Sequence, residues 1–212
     1  MIFYLHDIYS LILFSSVIFL LLYVGFDKKR VLLLLEHVVN QKYIVTYSRN
    51  NLPLFNGLAI MVYLTVLTTI MSIFLTYKTA TLSIVWFLII LSSLITLETI
   101  KTILTSWLSI ILEQTSLLHN YRDSIKTNNL FLSIIFLPIF FVLTYIFDGQ
   151  LINTQGFKVG VLFVVMFFLL QFIVLKRLNL LNRNLLFYLI LYLYVFEIAP
   201  YLVLFKLFQN IQ

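Results

Sequence analysis

Two places in this chain set charge among apolar neighbours, at spacings that could do chemistry. The first is "LITLETIKTIL", where Glu98 and Lys101 stand three residues apart. On a helix that spacing puts both on one face and lets them pair. The second is "LYLYVFEIAPYLVLFKLF", residues 191–208, with the single carboxylate Glu197. Tyr194 and Tyr201 lie at i−3 and i+4 from Glu197, so both phenols can hydrogen-bond its carboxyl group. Pro200 removes its own N–H and frees the carbonyl of Phe196, which predicts a kink and a second polar group beside the carboxyl. Tyr194, Glu197, Pro200 and Tyr201 thus form a candidate buried polar centre. It could contact an ion, a proton or a ligand, or lock two helices by a hydrogen bond.

Other chemistry has no footing. His6, His37 and His119 lack a second histidine or carboxylate at metal-ligand spacing on one face; Glu36 and His37 are adjacent and diverge on a helix. The 5 glycines are scattered and build no phosphate cradle. No serine stands in a nucleophile-elbow sequence. With 0 cysteines there are no disulfides and no thiolate metal sites. The expectation is a chain without cofactor, metal or catalytic residues, and not an enzyme.

The elements that must hold these residues are membrane helices. Of the 212 residues 62% are hydrophobic and 10% charged, where a soluble domain keeps about 25% charged. Continuous apolar runs, without the alternation of a barrel wall, predict six spans at about 6–26, 53–77, 82–104, 131–147, 158–176 and 185–207. The fold class expected is an all-α integral membrane bundle forming one domain, 1–212, with a cytoplasmic-side amphipathic helix. The first run has no basic n-region and no small-residue cleavage site after it, so it reads as a retained span.

Basic residues orient the bundle. The first, third and fifth connections hold ten: Lys28, Lys29, Arg30, Lys42, Arg49, Arg122, Lys126, Lys176, Arg177 and Arg183. The others and the C-terminal tail hold three, Lys78, Lys158 and Lys206, while Lys101 lies inside the third span. The asymmetry places the odd connections in the cytoplasm and both termini outside. On that frame Lys101 lies about 28 Å in from the outer face, near the cytoplasmic boundary, so Glu98–Lys101 reads as an interfacial ion pair. Glu197 lies about 18 Å deep, beyond the midplane, where a central acidic residue costs about 2.5–3.5 kcal/mol. A net charge of +6 without a basic stripe argues for a membrane face rather than nucleic acid.

Three connecting segments carry expectations of their own. Residues 28–47 put Val31, Leu34, Leu35 and Val38 on one face, which suits a helix on the membrane surface or one packed on the bundle. Residues 105–130 should extend the third helix and then turn through "HNYRDSIKTNN". "GFKVG", Gly156 to Gly160, has helix-packing spacing. Its place at the mouth of the fifth span, with Lys158 inside it, predicts a flexible outer loop end instead.

"FYLILYLYVFEIAPYLVLFKLF" resembles the C-terminal signature of domain-of-unknown-function family 4271, multi-pass membrane proteins of Bacteroidota. Leu191, Tyr192, Leu193, Glu197, Ile198, Pro200 and Lys206 carry the match. Tyr194 stands where that family has cysteine, and Ala199 where it has the leucine before proline. Lys101 in "IKTILTSWLSIILE", then Tyr121, Asn128 and Pro138 in "LFLSIIFLPI", follow the same order. The resemblance implies a bacterial inner-membrane protein and supplies no catalytic residue. Two functions follow as expectations. The first is a non-enzymatic scaffold or accessory subunit contacting membrane lipids and other membrane-protein subunits. The second is a small transporter or lipid-handling protein using the Glu197 centre.

Overall fold

The computed structural model describes residues 5–26, 28–35, 53–79, 84–111, 115–146 and 149–177, with isolated positions 199, 202, 203 and 206. The described elements are all α-helical: α1 (Leu5–Phe26), α2 (Lys28–Leu35), α3 (Pro53–Thr79), α4 (Ile84–Ile111), α5 (Thr115–Ile146) and α6 (Gly149–Arg177). Among the described residues five helices are long and apolar enough to cross a membrane: α1, α3, α4, α5 and α6. The sixth predicted span, 185–207, falls outside the described residues apart from the isolated helical positions Ala199, Leu202, Val203 and Lys206.

Local sequence accounts for the helix limits. Pro53 opens α3, where its missing N–H would have had no partner anyway. Lys176 and Arg177 close α6, where cations complement the negative end of the helix dipole.

α3 is the hub, packing on α1, α4, α5 and α6. Its Val62–Ile70 stretch is buried all round, the signature of a helix enclosed by others. The hydroxyls inside are satisfied locally. Thr68, Thr69 and Ser72 donate to carbonyls of their own helix, and Ser16 of α1 donates to the Thr65 hydroxyl at 2.7 Å. Apolar surroundings require this, because no water is at hand to satisfy a hydroxyl.

Antiparallel packing follows from which residues meet. Tyr23, Leu34, Val62 and Leu130 form one buried cluster. Asn128 Nδ2 donates to the Leu170 carbonyl at 3.3 Å. These contacts bring the end of α1, the start of α3, the first half of α5 and the end of α6 to one end of the bundle. Gly156 and Gly160 of α6 meet Ile70, Ile73 and Phe74 toward the other.

Two expectations need correction. "HNYRDSIKTNN" is not a turn; it lies wholly within the 32-residue α5. Nothing in 115–137 breaks a helix, since neither glycine nor proline occurs there. Ser124 and Thr127 donate to the carbonyls of Asn120 and Asp123, each at 2.7 Å, so polar side chains back-bond without ending the helix. "GFKVG" is not a loop end. It lies inside α6, and both glycines are buried against α3. A Cβ at Gly156 would come within 3.2 Å of Ile73, and one at Gly160 within 2.9 Å of Phe74. Close helix approach is what these glycines serve.

Of residues 28–47, the structure describes only 28–35, and they are helical. Leu34 is fully buried against Tyr23, Val62 and Leu130, with Val31 beside it, while Leu32, Lys28 and Lys29 are exposed. Val31 and Leu34 of the apolar face therefore pack on the bundle.

Candidate functional site

α4 and α5 together build a polar socket. On α4, Glu98, Lys101, Thr102 and Thr105 recur at i, i+3, i+4 and i+7, a single helical face. On α5, Arg122, Ile125, Lys126 and Asn129 recur at the same spacing, joined by Tyr121, and Phe167 of α6 completes the lining. The space enclosed is about 50 Å³ and is open on one side.

Lys101 Nζ lies 3.6 Å from Glu98 Oε1, with side chains 15% and 22% exposed. Thr102, Thr105 and Ser106 spend their hydroxyls on carbonyls of α4, each at 2.9 Å. Arg122 reaches across from α5 and donates through Nη1 to the Ser106 hydroxyl at 3.4 Å. Lys126 is half-buried and within electrostatic range of Arg122, Asp123 and Glu98. Among the described residues three cations and one carboxylate thus line the space, and the carboxylate is engaged by one of the cations.

Among the buried atoms on lining residues without a hydrogen-bond partner among the described residues are Arg122 Nε, a donor, and Asn129 Oδ1, an acceptor. Asn129 itself is only 8% exposed. An unmatched buried polar atom costs about 1–3 kcal/mol, so the socket favours whatever supplies the missing partners. Among the described residues no group of three or more His, Cys, Asp or Glu side chains could hold a metal ion. Lys101, Arg122 and Lys126 can supply charge-assisted hydrogen bonds to an anion.

Of the residues singled out in the sequence, Glu98 and Lys101 belong to this socket. Tyr194, Glu197, Pro200 and Tyr201 lie outside the described residues. Sequence reasoning missed Arg122, Lys126 and Asn129 because a polar run was read as a loop. The signal that could have found them is their i, i+4, i+7 spacing in a stretch with no helix breaker.

The outer face of α4 is the second feature. Phe87, Ile90, Leu94 and Leu97 are buried, and the opposite side is exposed. There Ser92, Thr96 and Thr99 form a stripe of small residues between Leu88 and Ile89 above and Ile103 and Trp107 below.

A family model described as domain of unknown function (DUF4271) matches residues 8–208, nearly the whole chain. The chain belongs to the DUF4271 family. No curated protein and no solved structure matches it. The DUF4271 match runs from α1 through Glu197 and Pro200, so the socket and the C-terminal signature lie within one family unit.

Proposed function

We propose that this DUF4271 chain is a non-enzymatic multi-pass protein of a bacterial cytoplasmic (inner) membrane, a scaffold or accessory subunit that binds another membrane helix through α4. Residues 185–207 supply a sixth span, and both termini face away from the cytoplasm. The gathering of Lys28, Lys29, Lys101, Arg122, Lys126, Lys176 and Arg177 at one end of the bundle supports that orientation.

The observation that carries the reading is the outer face of α4. Membrane helices associate by close packing, for which small residues at intervals of three and four are suited. Ser92, Thr96 and Thr99 have that spacing, and their hydroxyls donate to carbonyls of α4 at 2.9, 2.8 and 2.7 Å. They offer a partner a shallow groove with its polar atoms already satisfied.

Cross-linking tests the reading. The chain has 0 cysteines, so Thr96→Cys places a single thiol in that groove. Membranes carrying this variant are treated with a short thiol-reactive photo-cross-linker, and the products are mapped by mass spectrometry. A stoichiometric adduct to a second protein, lost when the neighbouring Ser92→Phe fills the groove, supports the subunit role. An adduct to residues 185–207 of the same chain would mean that its own last span covers α4. Adducts to lipid alone would overturn the proposal.

A further inference from the structure

We infer that the socket between α4 and α5 binds a phosphate group bearing a nearby hydroxyl, as in an anionic polyol-phosphate lipid headgroup or free hydrogen phosphate. The inference rests on the reading of the chain as membrane-inserted, and it does not depend on the subunit role of α4.

Charge comes first. Among the described residues, Lys101, Arg122 and Lys126 line the space with Glu98 as the only lining carboxylate, and Glu98 is engaged by Lys101 at 3.6 Å. Asp123 adds one further acidic group near Lys126, outside the lining. Among the described residues the excess is still positive. Partly buried cations held together without a full counter-charge are costly, and a bound anion removes that cost.

The orphan atoms narrow the ligand further. Arg122 Nε needs an acceptor, and Asn129 Oδ1 needs a donor. A bare anion satisfies only the first. A phosphate oxygen together with an adjacent hydroxyl satisfies both, because the hydroxyl donates to Oδ1 while the phosphate oxygen accepts from Nε.

Size and depth agree. A water-sized group needs about 10–15 Å³ by this measure, so about 50 Å³ takes roughly three to five such groups, the bulk of a phosphate. Counting from Ile146, the end of α5, Lys126 lies about 30 Å along the helix, one hydrocarbon thickness. The open socket therefore sits at the level of headgroup phosphates and cytoplasmic solutes.

The test uses the full chain in mild detergent, with binding read as the shift in thermal unfolding midpoint on titration. Four probes separate the possibilities: phosphatidylglycerol, phosphatidylethanol, phosphatidylcholine and inorganic phosphate. Phosphatidylglycerol and phosphatidylethanol share one negative phosphodiester, and only the first has free hydroxyls. The expected order is phosphatidylglycerol, then phosphatidylethanol about fivefold weaker, then phosphatidylcholine weaker again. Asn129→Leu should abolish the preference between the first two and leave anion binding in place. Lys126→Gln should weaken both, and Lys126→Arg should restore them, which separates lost binding from lost folding. Stabilisation by inorganic phosphate that competes with phosphatidylglycerol would assign the site to a soluble phosphate, and its absence to the lipid. Equal response to phosphatidylglycerol and phosphatidylethanol would overturn the hydroxyl assignment. Equal response to phosphatidylcholine as well, with no effect of phosphate, would overturn the site.

Discussion

Replacing Gly160 by alanine should destabilise the bundle, although the same change at Gly57 should stabilise it. Both glycines lie inside helices, Gly57 in α3 and Gly160 in α6. In a helix alanine is favoured over glycine by about 0.8–1.0 kcal/mol, which is the whole effect where the new methyl meets nothing. That is the case at Gly57, where no heavy atom lies within 4 Å of the added Cβ. At Gly160 the Cβ would sit 2.9 Å from Phe74 Cε1, 3.0 Å from Cζ and 3.4 Å from Ile70 Cγ2. Carbon atoms prefer about 3.5–4.0 Å, so the methyl is up to about 1 Å too close. The Phe74 ring is held in an edge-to-face contact with Phe157, centroids 5.1 Å apart, so swinging it aside breaks that contact. Overpacking of this kind costs about 1–3 kcal/mol. Setting that against the propensity gain leaves Gly160→Ala destabilised by about 1 kcal/mol, and Gly57→Ala stabilised by up to that amount. Gly160→Leu should exceed the alanine cost and force α3 and α6 apart. The assay is equilibrium unfolding in mixed micelles titrated with a denaturing detergent, followed by tryptophan fluorescence. If Gly160→Ala proves as stable as the parent chain or more so, α3 and α6 do not approach this closely, and the packing role assigned to "GFKVG" fails.

Two further outcomes are expected. A double-mutant cycle of Ser16→Ala with Thr65→Val should give a coupling of about 0.6 kcal/mol and no more than about 1.7, measured by the same unfolding assay; zero coupling would mean that the 2.7 Å hydroxyl contact between α1 and α3 contributes nothing. Glu197→Gln should leave expression and unfolding midpoint unchanged if that carboxyl only bonds a neighbouring helix, since an amide keeps size and hydrogen bonding. An expressed, folded Glu197→Gln chain that has lost a transport or growth phenotype would instead assign the residue to the handling of a proton or cation.

The sequence alone determined the all-helical class and the places of the long apolar elements, but the limits of only two of those described. The predicted span 82–104 stops short of the end of Ile84–Ile111, and 131–147 and 158–176 start well inside Thr115–Ile146 and Gly149–Arg177. The predicted spans 6–26 and 53–77 correspond to Leu5–Phe26 and Pro53–Thr79, because a continuous apolar run of about twenty residues has few alternatives to a helix. It also determined that Glu98 and Lys101 share a face, since i, i+3 spacing is a property of one helix. What lay between elements was not legible. In 115–130 the polar residues outweigh the apolar ones, and composition alone reads such a stretch as solvated. Only the tertiary structure shows that α5 turns Arg122, Lys126 and Asn129 toward α4, where Glu98 and Lys101 meet them. The same holds for Gly156 and Gly160. Whether a small-residue pair is a hinge or a contact depends on what faces it, and Ile73 and Phe74 stand more than eighty residues earlier in the chain. Periodicity reports which side of a helix a residue occupies; only packing decides what that side meets.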